Sequence, residues 1–195
     1  MRILSIALLA LVILTACGPS GTTDPDPVSR TPSIDTAAWM ARGLEVTNAA
    51  QQALGGELKA ALERGGIDEA VPYCQVHALP ITDSVAAVHD AAVSRTALRV
   101  RNPANEPTPG ERTVLEAWRA QEDVPVPTIR LEDGTVLYHR PILMMPLCLQ
   151  CHGTVGEDLT EADYDLITER YPDDQATGFS AGELRGMWTV AFPAE

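Results

Sequence analysis

Two cysteines and a histidine near the C-terminus have the spacing that covalent haem chemistry needs. The segment Cys148-Leu149-Gln150-Cys151-His152 places two thiols three positions apart and an imidazole directly after the second thiol. Thiols at this spacing reach the two vinyl groups of one porphyrin, and the adjacent histidine offers a ring nitrogen to the iron. The segment therefore predicts one covalently bound haem c, attached through Cys148 and Cys151, with His152 as an axial iron ligand.

Other uses of such a cysteine pair fit this sequence less well. A thioredoxin-type redox pair is expected at the start of a helix in a βαβ unit, whereas Cys148 and Cys151 follow a predicted hairpin late in the chain. A zinc site would need another ligand at a useful spacing. A disulfide across two intervening residues would be strained. We therefore expect haem attachment, which also suits an exported chain.

The second axial position of the iron has several candidates. Cys74 is left without an assigned role among the four cysteines, and it is either a small buried side chain or a thiolate ligand to iron. His77 is its nearest rival, because residues three apart share one face of a helix. The remaining residues of suitable type are His89, His139, Met144, Met145 and Met187.

The N-terminus has the pattern of an export signal. Met1-Arg2 precedes an apolar run, residues 3–14, that is too short to cross a bilayer as a helix. The run ends in Leu14-Thr15-Ala16-Cys17, which resembles the bacterial lipobox. We therefore expect residues 1–16 to be a lipoprotein signal peptide and Cys17 to carry the lipid that anchors the protein. The predicted location is the bacterial cell envelope, facing the periplasm, on either the inner or the outer membrane.

Length and charge limit the domain number and the partners. The chain of 195 residues fits one domain of ordinary size. It has 14 Lys plus Arg against 27 Asp plus Glu, a formal charge of −13, which excludes nucleic acid as a partner. Residues 17–34 are rich in Pro, Gly, Ser and Thr and are predicted to be a disordered tether. The haem-binding domain is then expected over residues 35–195.

The elements of the folded part are helices followed by antiparallel strands. Asp35 is expected to cap a helix that Gly65-Gly66 ends, and a second helix should run from residue 68 to about 88, bent or broken at Pro80. The later pattern predicts a strand at 94–101, a helix at 111–121, a hairpin around Asp133-Gly134, a helix at 160–170 and a strand at 187–192. This order predicts an α+β domain.

Further motifs occur in order between residues 38 and 192. They are Cys74 with Ala78, Pro80 and Ile81; Arg99-Val100-Arg101-Asn102-Pro103; Arg140-Pro141-Ile142 before the haem motif; and Tyr171-Pro172-Asp173-Asp174, Gly178-Phe179 and Leu184-Arg185-Gly186. With these motifs the chain resembles a family of single-haem c-type cytochromes with a PAS-like fold and Cys/His axial ligation. That family was long catalogued as a domain of unknown function and was first described structurally in a cyanobacterial protein.

The resemblance implies a fold and a ligand set. It implies a PAS-like antiparallel sheet flanked by helices, with a long N-terminal helix. It also implies that Cys148 and Cys151 hold the haem and that His152 and Cys74 are the axial ligands. Similar domains form the periplasmic sensory part of bacterial signalling proteins, so the resemblance is compatible with sensing as well as with electron transfer.

Cys/His ligation predicts low-potential electron transfer. A thiolate stabilises ferric iron, and a six-coordinate iron has no vacant position for oxygen or peroxide. Because the sequence contains no kinase, cyclase or methyl-accepting region, we expect an electron carrier that docks with a redox partner protein. The alternative is a redox or gas sensor, in which CO or NO displaces Cys74. A peroxidase-like enzyme is the weakest alternative, since it needs a distal acid–base residue such as His77 or His89.

Arginine supplies 13 of the 14 basic residues. Guanidinium groups form paired hydrogen bonds with carboxylates, and haem carries two propionates. Arg99, Arg101 and Arg140 are therefore the candidates for binding the propionates.

Overall fold

The structure, a computed structural model, describes residues 35–193. The predicted signal peptide (residues 1–16), the lipidated Cys17 and the tether (residues 17–34) lie outside the described residues, so these remain predictions. Across the described part of the chain, none of the helices has the combination of length and apolar character that crossing a membrane demands.

The first element is a long helix with one break. Helix α1 spans Thr36–Val88, and the carboxylate of its N-cap, Asp35, accepts a hydrogen bond from the Ala38 amide at 3.1 Å. The backbone leaves helical geometry at Gly65 and at Gly66, where φ is 66° and ψ is −149°. Only glycine adopts the Gly66 conformation without strain, so the predicted helix end at Gly65-Gly66 is confirmed as a break.

Of the predicted bend or break at Pro80, the break is wrong, since α1 continues through Pro80 to Val88 in helical geometry. A proline in a helix leaves the carbonyl four residues earlier without its donor. That residue is Val76, which is 63% exposed, so water can satisfy the carbonyl.

Four strands form one antiparallel sheet in the order β1-β4-β3-β2. Their bounds are β1 Ala92–Thr96, β2 Thr128–Glu132, β3 Thr135–Leu143 and β4 Leu184–Phe192. The β2–β3 turn has positive φ at Asp133 (49°) and Gly134 (82°), as a two-residue hairpin turn requires. The sheet and its flanking helices confirm the α+β prediction. The predicted strand over 94–101 is wrong in extent, because β1 ends at Thr96.

Three shorter helices complete the domain: α2 (Pro109–Arg119), α3 (Leu149–His152) and α4 (Glu161–Arg170). Single 3₁₀ turns lie at Pro103–Asn105 and Pro146–Cys148. Helix α2 begins with a reciprocal capping box between Thr108 and Glu111, and Thr160 caps α4.

The two faces of the sheet pack against different helices. On the α1 face, Tyr138, Val190 and Phe192 pack against Val46 of α1. Gly43 permits this approach, because a Cβ at that position would overlap the Tyr138 ring. On the α2 face, Met187 packs against Leu115 and Trp118 of α2, and all three are nearly fully buried.

Candidate functional site

A cavity of about 230 Å³ lies beside the α1 face of the sheet. Helix α1 contributes an apolar wall, Leu54, Leu58 and Leu62, and beyond the break it contributes Cys74. The haem motif contributes Cys148, Cys151 and His152. The structure therefore brings Cys74 to the haem motif, from which it is more than 70 positions away in the sequence.

The haem motif is folded as a tight turn that runs into a helix. The 3₁₀ turn Pro146–Cys148 leads directly into α3, so Cys148 and Cys151 lie about one helical turn apart. The Gly153 amide donates to the Leu149 carbonyl at 2.8 Å and closes α3. A Cβ at Gly153 would overlap the Asp158 side chain, so a small residue is required immediately after His152.

His152 is held in the tautomer that can bind iron. Its Nδ1 lies 2.6 Å from the Ala176 carbonyl oxygen, and it can bond to that acceptor only as an N–H donor. Nε2 is then left with its lone pair, which is the usual arrangement of a metal-bound histidine. Burial lowers the pKa of His152 well below its ordinary value, and Arg101 and Arg185 lower it further. The ring is therefore a neutral imidazole.

Cys74 lines the same cavity, and its thiol is partly buried. Burial raises the pKa of Cys74, whereas Arg95 and Arg101 lower it. Burial also raises the pKa of Cys151, to about 11, against the lowering effect of Arg101. Cys74, Cys148 and Cys151 form no disulfide.

The four residues do not form a compact metal site. Among residues 35–193, no group of three or more Cys, His, Asp or Glu side chains is close enough to hold a bare metal ion. The geometry is thus unsuited to zinc, whose ligands must converge on one point. It instead leaves room for a cofactor between Cys74 and the haem motif.

The rival axial candidates lie elsewhere, except for one methionine. The His77 side chain is exposed and its ring lies against that of Tyr73, with centroids 4.3 Å apart. His89 is the C-cap of α1, Met145 is 51% exposed, and His139 and Met187 are buried on the α2 face. Met144 is buried and lines the cavity, four residues before Cys148.

The three predicted propionate ligands have different surroundings. Arg101 lines the cavity, but its guanidinium already binds both Asp174 carboxylate oxygens, at 3.0 and 3.1 Å, and the Cys151 carbonyl at 2.6 Å. Arg99 is exposed and donates to the carbonyls of Gln175 and Thr177. Arg140 donates to Thr47 at 3.1 Å and Asn48 at 2.7 Å, on α1. Arg99 and Arg140 do not line the cavity.

Two further arginines line the cavity, Arg95 of β1 and Arg185 of β4. Neither was among the propionate ligands predicted from the sequence. Burial lowers the pKa of Arg95. Burial also lowers the pKa of Arg185, to about 9, with further contributions from Arg101 and Arg95. The alternating sequence pattern around Arg95 could have identified it as facing one side of a strand. In the structure it lies in β1, opposite Trp188. The motif Leu184-Arg185-Gly186 contains Arg185, but the direction of its side chain depends on an irregularity in the sheet.

The residues of this cavity fit a haem. Two thiols and an imidazole with a free Nε2 stand on one segment, and a third thiol stands on α1. Leucine side chains provide an apolar wall, and guanidinium groups provide positive charge for carboxylates.

Comparisons with known proteins agree with this chemistry. The model of the Tll0287-like family, described as Tll0287, matches residues 30–193. The crystal structure of the cyanobacterial heme-protein Tll0287 is similar at a TM-score of 0.59 and 26% sequence identity. The similarity covers 80% of this chain and 95% of that one. No curated protein sequence matches the chain.

Proposed function

The chain belongs to the Tll0287-like family and is a haem-binding protein, and from this premise we propose that it is a lipid-anchored c-type cytochrome that carries electrons at low potential. One observation supports the proposal above others: Cys74 of α1 and His152 of α3 line the same cavity as the two thiols of the haem motif.

Each residue of the haem motif has a distinct role in this proposal. Cys148 and Cys151 would form the two thioether bonds that hold a single haem. His152 offers Nε2 to the iron, and the bond from its Nδ1 to the Ala176 carbonyl keeps the ring in position. The haem, when bound, supplies a one-electron couple between ferric and ferrous iron.

Cys74 sets the electronic character of the site. A thiolate donates electron density and stabilises ferric iron, which lowers the reduction potential relative to Met/His ligation. His152 and Cys74 together would hold the iron and would leave it no position for oxygen or peroxide. Neither His77 nor His89 lines the cavity, so the described residues offer no histidine for distal acid–base catalysis. The proposed ligand set therefore favours electron transfer.

The location of the carrier rests on the N-terminal sequence. Removal of residues 1–16 and acylation of Cys17 would tether the domain to a bacterial membrane, facing the periplasm. The charge of −13 disfavours a nucleic acid as partner, and the proposed electron carrier needs a redox partner protein.

The test compares Cys74→Ser with a matched change at the rival, His77→Gln, in protein matured by a bacterium that assembles c-type cytochromes. Wild-type protein should keep its pigment through acid–acetone extraction and show a low-spin ferric spectrum. Cys74→Ser should shift the Soret band and raise the reduction potential, and His77→Gln should change neither. An unchanged spectrum in Cys74→Ser would remove Cys74 from the iron, and pigment lost to the solvent would remove the thioether bonds.

A second function, redox or gas sensing, is favoured by the break in α1. The segment that carries Cys74 joins the rest of α1 through Gly65-Gly66, where the helix is interrupted. Such a break allows Cys74 to move away from the iron while the first part of α1 stays on the sheet. Rapid CO binding by the ferrous protein, with loss of the Cys74 bond, would support sensing. Fast reduction by a partner with no response to CO would support the carrier.

A further inference from the structure

The cavity contains more positive charge than the protein neutralises. Three guanidinium groups line it, those of Arg95, Arg101 and Arg185, and no Asp or Glu is among its lining residues. Asp174 is the carboxylate that reaches one of them, and it binds Arg101 with a side chain that is 0% exposed. Arg95 and Arg185 form no salt bridge with any described residue. Two positive charges therefore remain without an anionic partner in the described part of the chain.

Most of the hydrogen-bonding capacity of these two side chains is unused. A guanidinium has five N–H donors. Arg185 uses one of them, from Nη1 to the Arg99 carbonyl at 2.9 Å. Arg95 has no hydrogen bond to a described residue, and its Cζ lies 5.8 Å from the centroid of the Trp188 ring. Both side chains are partly buried in the cavity wall, so their free donors are available to an anion in the cavity.

The sheet itself directs both arginines to the cavity. Arg95 pairs with Trp188 across β1 and β4, so both side chains project from the α1 face. Strict alternation would place Arg185 on the opposite face from Gly186 and Trp188. The β3–β4 register shifts at this point, between Ile142 and Leu143, and a bulge of this kind re-aims the side chain beside it. Arg185 lines the cavity for that reason.

We propose that Arg95 and Arg185 bind the two propionate carboxylates of the haem, while Arg101 remains bound to Asp174 and the Cys151 carbonyl. This proposal rests on the proposed haem site. The two charges left over in the cavity equal the two charges of the propionates. Paired donors on a guanidinium match the two oxygens of a carboxylate, which makes arginine the suitable residue at both places.

The experiment uses holoprotein carrying Arg95→Gln, Arg185→Gln or the control Arg140→Gln, which removes the same charge outside the cavity. Resonance Raman spectra report hydrogen bonding of the propionates through their bending band, and reduction potential against pH reports their ionisation. Both cavity variants should shift the band and raise the proton affinity of one propionate at least about tenfold. Arg140→Gln should match the wild type. Arg95→Lys should restore the propionate ionisation, because it restores the charge.

The outcomes separate this proposal from the haem assignment. If haem is attached in every variant but the propionate band and ionisation of the Arg95 and Arg185 variants match those of Arg140→Gln, the proposal is wrong. The haem site would remain valid in that case. A propionate response confined to Arg101→Gln also overturns the proposal. A wild-type protein without attached haem overturns the proposed function instead. If Arg185→Gln fails to fold, because Arg185 also bonds to Arg99, the Arg95 variants decide.

Discussion

The polar side chains on the two faces of the sheet have different surroundings. On the α2 face, the Thr189 hydroxyl donates to the Glu111 carboxylate at 2.8 Å and accepts from Nδ1 of the buried His139 at 3.2 Å. The other Glu111 oxygen accepts from the Thr108 amide at 2.9 Å. All partners in this series of hydrogen bonds are protein groups. The neighbouring core of Leu115, Trp118 and Met187 is nearly fully buried.

On the α1 face, several polar groups have hydrogen-bonding or ligand atoms that no described residue engages. His152 has a satisfied Nδ1, but Nε2 has no hydrogen-bond partner among the described residues. Three thiols are unpaired, and Arg95 has no hydrogen bond to a described residue. These partly buried groups line one cavity, so their unused donors and lone pair are available to a ligand there. The comparison shows that the two histidines have different surroundings: His139 is enclosed in a hydrogen-bond network of protein side chains, and His152 lines a cavity together with three thiols.

The largest effect is expected from replacing each of the two histidines in turn. His152→Ala should reduce the covalently bound haem per protein at least about tenfold, since even outer-shell partners of metal ligands contribute about 10–100-fold to metal affinity. His139→Gln should keep the wild-type haem content. The measurement is the pyridine haemochrome assay on purified protein. Equal haem content in both variants would contradict the division between the two faces.

A smaller effect is expected from deleting one leucine side chain on each face. Leu115→Ala on the α2 face should lower the free energy of unfolding by about 2–5 kcal/mol and leave the Soret band unchanged, because Leu115 is 1% exposed in a closed core. Leu58→Ala, on the cavity wall, should alter the haem absorption or its reduction potential. Denaturant titration and absorption spectra measure the two effects. A Soret shift in Leu115→Ala would show that the faces are coupled.

The smallest effect is a pH dependence of the free energy of unfolding that arises from His139 on the α2 face. Burial lowers the pKa of His139, partly offset by Glu111, so the unfolded chain binds a proton more readily than the folded protein does. The stabilisation from neutral His139 is fully present above its ordinary pKa of 6.5 and is lost as pH falls toward the lower folded value. Urea titrations should show a steeper loss of stability on acidification in wild type than in His139→Gln. Identical slopes would mean that His139 is not held neutral by the fold.

The features of the site that depend on neighbouring residues could be predicted from the sequence. The Cys148–His152 spacing predicted the haem motif, and Asp133-Gly134 predicted the hairpin that precedes it, because both depend on residues close in the chain. The break at Gly65-Gly66 followed from the same kind of local conformational argument. Pro80 was misjudged, because its cost depends on whether Val76 is exposed, and exposure is a property of the packed helix.

The arginines show where local reasoning ends. Arg95, Arg99 and Arg101 would share one face if the strand ran over residues 94–101, as the alternating pattern predicted. Because β1 ends at Thr96, Arg99 turns outward to the loop at Gln175 and Thr177, and Arg101 returns to meet Asp174. Arg140 has the strand position of a cavity residue, but α1 passes close enough to take its hydrogen bonds.

The amino-acid sequence by itself determined which segment can attach a haem, since two thiols and an imidazole within five residues need only one turn of backbone to present them. Tertiary structure alone decided what faces that segment. Packing of α1 on the sheet brought Cys74 to the cavity and left His77 outside, and the β3–β4 register shift turned Arg185 inward. These choices depend on contacts between residues far apart in the chain, where a shift of one position in a strand reverses the side to which every side chain points.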